Sequence, residues 1–376
     1  MAFRLGLIVN PIAGMGGAVG LKGSDTPEIV ARARELGAMP QAPSRAGEAL
    51  GAIAATAKTK MPLELYAATG DMGEIEARAA GFSPHPIGVV QEGDTGAEDS
   101  VRAAQAMVAM PVDLILFAGG DGTARDLVRA VGGKVPVVGV PAGVKMHSAV
   151  YATNPRAAAR MVLRYMQGGI VLRELEVMDI DEAAFRDGAV SAKLYGHLSV
   201  PYLPDLVQGT KAGGVSRDRT ALAGIAARIA EAMEPGRLYI LGPGTTMRAV
   251  AEAVGVEKTL LGVDLVCDGA RIAGDAGERD ILAALATLDS TAAIAVTPIG
   301  GQGHFFGRGN QQISARVISH VGTKHITVAA TMEKIASLRD NLLHVDTGDR
   351  ALDEKLSGWR RVITGYQTDS VCRVET

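Results

Sequence analysis

Short apolar runs recur along the first part of the chain, at Leu5–Asn10, Leu63–Ala67, Ile87–Val90, Leu114–Ala118 and Pro136–Val140. Each is strand length and bounded by turn residues, and alanine-rich stretches with helical spacing lie between them. Pro27, with Glu28 behind it, suits the first turn of a helix. Thr95-Gly-Ala-Glu98 fits a capping box ahead of a helix over Asp99–Met110, and Asn154-Pro155 opens another that runs to about Met166. This alternation predicts an α/β fold with a doubly wound parallel sheet. After Gly168-Gly169 the pattern changes. Arg173–Phe185 and Val190–Tyr202 read as extended, with Arg186-Asp187-Gly188 as a hairpin-like turn. Strand and helix then alternate again: Leu238–Leu241, a helix over Met247–Val254, Leu261–Val266, Ala293–Val296, Ile326–Ala330, Val362–Gly365 and Val371–Val374. The expected division is an N-terminal α/β nucleotide- or phosphate-binding domain over 1–168 and a mixed α/β C-terminal domain over 169–376 that closes the cleft. The last strands are free to return to the first domain.

Composition narrows the classes. Of 376 residues 47% are hydrophobic, enough for a packed core rather than disorder. Aromatics are 4% while glycines number 47, so close packing and backbone-lined loops are expected. Net charge is −3 and the isoelectric point about 6.2, which argues against a broad basic surface for nucleic acid or a polybasic membrane anchor. No run approaches the ~20 apolar residues of a membrane span. The first apolar run is too short for a signal peptide, and two cysteines, Cys267 and Cys372, make no disulfide framework. A reducing, cytoplasmic compartment is the expectation.

Five glycine-rich or polar loops fall at strand ends, where a doubly wound sheet collects ligands. They are Asn10–Gly17 with Gly14, Gly119-Gly120-Asp121-Gly122-Thr123, Gly139–Ser148 with Lys145 and His147, Gly242–Thr246 with Gly244 and Thr245, and Pro298–Gly303 with Gly300, Gly301 and Gln302. Glycine lets main-chain N–H groups approach phosphate oxygens, and a following helix adds a favourable dipole. Any single loop of this kind can be turn punctuation, and Gly244-Thr245-Thr246 can be a helix cap. Five together point to phosphate or nucleotide binding. Asp121 is the sharpest feature. It can accept main-chain hydrogen bonds in an Asx-turn. Alternatively, a carboxylate among phosphate-binding amides can take the proton of an attacking hydroxyl.

GGDGT after the fourth apolar run resembles the signature of the NAD kinase superfamily, which includes diacylglycerol and sphingosine kinases and, more distantly, phosphofructokinases. VNPIAGMGG, GGDGTARD, VPAGVKMHSAVYATNP, LGPGTTMRAVAE, TPIGGQGHFFGRGNQQ and VDTGD together resemble the ATP-NAD kinase-like subfamily that includes the acetoin-catabolism X proteins. The resemblance covers nearly the whole chain. It implies ATP- or polyphosphate-dependent phosphorylation of the adenosine-ribose 2′-hydroxyl of NAD, with Mg²⁺ held mainly by the donor's phosphates. It implies Asp121 as general base, with Gly119, Gly120, Gly122 and Thr123 at the phosphates and Asn10 as the superfamily's Asn-Pro asparagine. Related enzymes assemble as dimers or tetramers. Two departures stand out. The chain has no Asn-Glu pair to position a dinucleotide, and Arg125-Asp126 after GGDGT is unusual. Gly244-Thr245-Thr246 stands where the family carries a Gly-Ser-Thr-Ala-Tyr-like stretch.

The remaining candidates keep two readings each. Arg125 and Asp126 are either a solvated helix pair or a phosphate clamp and ribose-binding carboxylate. Lys145 suits a phosphate, whereas His147 reads as a structural hydrogen-bonding residue. Arg308-Gly-Asn310-Gln-Gln312 can read a base edge or a phosphate, or cap a helix near Ser314. Tyr202–Asp205 and Gln208–Lys211 form a polar loop expected near the acceptor. The remaining histidines lack zinc-ligand spacing, and the metal ligands stay unknown. Small-molecule nucleotides are the expected partners. A lipid kinase would need amphipathic or aromatic membrane anchors that the sequence does not display. A non-catalytic nucleotide-binding protein would not need the carboxylate at position 121.

Overall fold

A computed structural model describes residues 2–21, 27–57, 62–88, 95–143, 146–180, 192–203, 206–207, 219–287 and 291–376. The chain divides into two compact units, one of Met1–Met15, Gly23–Arg34 and Met39–Thr210, the other of Gly16–Lys22, Glu35–Ala38 and Lys211–Thr376. The division therefore falls well after residue 168, because the hairpin that follows Gly169 stays with the first unit. The last strands belong to the second unit and do not return.

The first unit is built on five parallel strands: β1 (Phe3–Val9), β2 (Leu63–Ala68), β3 (His85–Ile87), β4 (Leu114–Gly119) and β5 (Val137–Pro141). Their order is β3-β2-β1-β4-β5. β4 lies inside the sheet between β1 and β5 and every residue in it is buried, which is why its sequence is an unbroken apolar run. Phe117 is fully buried and packs on Tyr151 with ring centroids 5.2 Å apart. Helices α1 (Pro27–Glu35), α2 (Ala42–Ala57), α3 (Glu74–Ala79), α4 (Ala97–Ala109), α5 (Asp121–Val131) and α6 (Pro155–Met166) connect and flank the strands. Asn154 caps α6 as expected, accepting the Ala157 N–H at 2.8 Å. The start of α4 differs from expectation. Gly96 is the N-cap, and its N–H is accepted by Asp99 at 2.8 Å, so Asp99 rather than Glu98 closes the turn. An antiparallel hairpin, β6 (Leu172–Ile180) and β7 (Ala192–Pro201), completes the unit. The turn predicted at 186–188 lies outside the described residues.

The second unit holds α7 (Arg219–Glu231), β8 (Leu238–Leu241), α8 (Thr245–Ala253), β9 (Asp264–Cys267), β10 (Ala270–Ala273), α9 (Glu278–Thr287) and β11 (Ala292–Val296). Beyond them come β12 (His304–Phe306), α10 (Ala315–Val321), β13 (Ile326–Val328), α11 (Met332–Ala336), β14 (Leu343–Val345), α12 (Arg350–Leu356), β15 (Gly358–Ile363) and β16 (Asp369–Glu375). One sheet runs β10-β9-β8-β11-β13, with β8, β11 and β13 parallel; the other runs β12-β14-β16-β15. Alternation along β8 divides its side chains between two cores. Leu238 and Ile240 join Ile294, Phe305 and Phe306, while Tyr239 and Leu241 join Ile225 and Met247. Among the described residues no helix is long and apolar enough to cross a membrane.

Candidate functional site

In the first unit β1 leads toward β2 and β4 leads toward β5, in opposite directions along the sheet. The crevice between the carboxyl ends of β1 and β4 is thus a topological switch point, the usual ligand position of such sheets. Asn10 follows β1 and Gly120-Asp121 follow β4. Asn10 Nδ2 donates to Thr123 Oγ1 at 3.0 Å, and its Oδ1 accepts the Ile12 N–H at 3.2 Å, so one side chain ties both loops together. Two further approaches require glycine. A Cβ at Gly14 (φ +79°) would lie 2.2 Å from the Ala142 carbonyl oxygen, and one at Gly143 would lie 2.9 Å from Gly120 Cα. The first, second and third glycine loops therefore meet at backbone distance.

Asp121 is the first residue of α5 and is 5% exposed. Its Oδ2 accepts the His147 N–H at 2.6 Å, and its Oδ1 accepts the Ser148 N–H at 3.1 Å. It thus accepts main-chain hydrogen bonds, as its plain structural reading expects, but from the loop after β5 rather than from its own turn. That loop is held in turn. Ser148 Oγ donates to Met178 O at 2.8 Å, and Tyr151 Oη donates to Gly120 O at 2.5 Å. His147 contributes its main-chain N–H. Its ring Nδ1 lies 3.4 Å from Asp121 Oδ2 and makes no hydrogen bond among the described residues. Gly122 is open, with nothing within 4 Å of a Cβ built there. Lys145 lies outside the described residues, as do Asp205 and Lys211.

Arg125 and Asp126, one turn along α5, differ in exposure: Arg125 is partly exposed and Asp126 is buried. Arg125 Nη1 donates to Asp179 Oδ2 on β6 at 3.1 Å, and its guanidinium lies 5.4 Å from the Tyr195 ring centre. Asp126 is 5% exposed, and Arg129 Nη1 stands 3.9 Å from its Oδ1. Burial pushes the Asp126 carboxyl up to about 6, against the pull of Arg125 and Arg129.

The second unit carries the other candidates. Gly244 is the N-cap of α8 at φ 109°, Thr245 is exposed and Thr246 is 2% exposed. Gly300 has open space at its Cβ position, Gly301 turns at φ 75°, and Gln302 is 6% exposed. Asn310 Nδ2 donates to Phe305 O at 2.8 Å, while its buried Oδ1 makes no hydrogen bond among the described residues. The helix near position 314 is capped by Ser314 itself, whose Oγ accepts the Val317 N–H at 3.3 Å. Among the described residues no three His, Cys, Asp or Glu side chains gather as a metal site.

Sequence reasoning did not single out Tyr151, Asp179, Thr297 or Lys334. Tyr151 carried a usable signal, as a hydroxyl-bearing aromatic beside a glycine loop in an aromatic-poor chain. Lys334 carried none, since its helix looks ordinary.

A parallel sheet with glycine loops and polar side chains at its carboxyl edge, followed by a mixed-sheet unit, defines an α/β protein of the nucleotide- and phosphate-handling class. The ATP-NAD kinase N-terminal domain family matches residues 5–170, and the ATP-NAD kinase C-terminal domain family matches residues 235–374. The chain belongs to the NAD kinase family, and it is a kinase-type phosphotransferase. No curated protein and no solved structure matches it.

Proposed function

We propose that the chain transfers a phosphoryl group from ATP, or from polyphosphate, to the 2′-hydroxyl of the adenosine ribose of NAD, giving NADP. One observation carries this reading: a buried carboxylate, Asp121, stands oriented at the switch point between β1 and β4 among glycine loops. A carboxylate accepts up to about four hydrogen bonds, so the His147 and Ser148 amides leave lone pairs for an incoming hydroxyl. The 2′-oxygen forms its bond to the terminal phosphorus as the bond to the bridging oxygen breaks. The hydroxyl proton passes to Asp121, and ADP or a shortened polyphosphate leaves. Gly119, Gly120, Gly122, Thr123 and Gly14 present backbone to the phosphates, Asn10 fixes Thr123, and Lys145 adds positive charge. On this reading Mg²⁺ would enter with the phosphate donor, held mainly by its phosphate oxygens, and would neutralise charge there. On this reading the ligands are small nucleotides rather than nucleic acid or membrane, and the enzyme works in the cytoplasm as a dimer or tetramer.

A second reading keeps the chemistry and changes the acceptor, because the chain lacks an Asn-Glu pair to hold the dinucleotide. A substrate panel decides between them. Purified protein with Mg-ATP or polyphosphate is offered NAD, NADH and free nucleosides, and an NADP-specific dehydrogenase follows the product. NADP formation is expected. ATP consumption with another acceptor, and none with NAD, would replace the first reading by the second. Asp121→Asn should cut turnover by at least ~10²-fold while nucleotide affinity stays near that of the parent protein.

A further inference from the structure

The chain holds one tryptophan, Trp359, and the fold puts it on the surface, 76% exposed. It stands on β15, the outermost strand of the sheet β12-β14-β16-β15. The inward face of the β15–β16 pair is apolar, with Val362, Cys372 and Val374 buried in the core. The outward face follows from the antiparallel register, which sets Trp359 beside Arg373 and Arg361 beside Val371. Val371 is 63% exposed. α7 meets this face at the Asp369 end, where Arg228 Nη1 donates to Asp369 Oδ1 at 3.0 Å. Tyr366 Oη, in the turn between the strands, donates to Glu231 Oε2 of the same helix at 2.7 Å.

The open residues form a checkerboard. Trp359 and Val371 lie on one diagonal, Arg361 and Arg373 on the other. Each arginine keeps a carboxylate on the same face. Arg361 Nη2 lies 2.8 Å from Asp369 Oδ2, and Arg373 Nη2 lies 3.2 Å from Glu375 Oε1. The patch therefore carries both signs in balance, which suits a copy of itself better than a polyanion. A two-fold axis in the contact plane and along the strands sets Trp359 against Arg373 of the second copy, and Val371 against Arg361. An axis across the strands sets Trp359 against Arg361, and Val371 against Arg373. In both cases the indole meets a planar guanidinium, which can stack on the ring while its edge stays with a carboxylate.

We propose that the outward face of β15 and β16 is the surface through which two copies of this chain associate about a two-fold axis, with Trp359 as its anchor. The proposal rests on the self-association included in the function proposed above, and not on phosphoryl transfer.

Sedimentation velocity of the full chain over a range of concentrations tests it, with the single tryptophan as reporter. The chain is expected to associate as concentration rises. Trp359 emission should then move to shorter wavelength and acrylamide quenching should fall, as water leaves the ring. Val371→Glu keeps the reporter and should weaken association by at least ~tenfold, with the emission staying that of an exposed indole. Trp359→Glu should weaken association as much. Ile272→Glu, at an exposed apolar residue on β10, should not. Melting temperatures check that the variants fold, and if one of the first two does not, the other decides. A monomer at every concentration would overturn the self-association and the proposal together. An oligomer undiminished in Val371→Glu or in Trp359→Glu would overturn the proposal alone. Emission that shifts only when polyglutamate or tripolyphosphate is added would overturn it too, and would give the face to an anionic ligand.

Discussion

Two carboxylates on one helix behave differently because their partners differ. Asp121 is held by two main-chain N–H groups, so Asp121→Asn turns an amide NH₂ toward one of those donors as well as removing a base. Its turnover should therefore be read beside its melting temperature. A loss of activity that merely tracks unfolding would make Asp121 an anchor and nothing more. Asp126, five residues on, is buried with no hydrogen bond to either oxygen among the described residues. Its folded-state value of about 6 lies above the ordinary 3.8. The protonated form is the one that favours folding. That contribution is complete below about pH 4 and is lost as pH rises through 6. At neutral pH the buried charge costs folding about 2 to 3 kcal/mol. Asp126→Asn is neutral throughout, so it should raise the melting temperature at pH 7–8 and leave it nearly unchanged near pH 4. Thermal melts across that range check this. An equal shift at both ends would trace the effect to packing rather than charge.

At the scale of elements, the loop from α8 to β9 positions the Gly242–Thr246 turn, because Leu260 O accepts the Gly244 N–H at 2.8 Å. A buried network holds that loop. Lys258 Nζ donates to Thr259 O at 2.9 Å and Gly262 O at 2.8 Å, and it lies 3.9 Å from Asp264 Oδ1. Asp264 accepts from Thr259 N, Thr259 Oγ1 and Asp275 N. Burial brings Lys258 down to about 8, with Asp264 and Asp275 opposing the drop. Lys258→Met leaves Asp264 charged and buried without its cation, a loss of about 3 to 5 kcal/mol. Chemical denaturation should show that loss, and amide exchange at Gly244 should quicken. Unchanged exchange there would mean the turn is held by something else. None of this network was legible in the sequence, since Lys258 and Asp264 look like ordinary loop and strand-edge residues. What was legible was local. The unbroken apolar run of β4, the Asn154-Pro155 start of α6 and the glycine signature after β4 each depend on neighbours in sequence. The pairing of Arg125 was not legible, because its partner, Asp179, lies 54 residues away on β6.

The same limit governs the molecule as a whole. A glycine loop after a strand announces a turn, but its composition does not say which core it rests on. Residues 16–22 continue the loop that begins after β1, yet they belong to the second unit. There the Ala18 carbonyl accepts the Glu278 N–H at 2.8 Å, a Cβ on Gly277 would lie 3.2 Å from the Val19 carbonyl, and the Gln311 side chain lies against Gly17. The two compact units divide after the hairpin rather than at 168, since the change of local pattern there marks a change of element and not of core. The second unit is therefore discontinuous, and cutting the chain at residue 210 removes part of it. A fragment of residues 211–376 should be less stable than the same residues in the full chain by about 1 to 2 kcal/mol, for the main-chain hydrogen bond and packing lost. Hydrogen exchange at the core amides of β8 and β11 measures this in both proteins. A peptide of residues 14–24 added to the fragment should restore part of the protection, and a Gly17→Val peptide should not, because Gln311 occupies the space its side chain needs. Full protection in the fragment alone would show that the segment rests on the unit without supporting it.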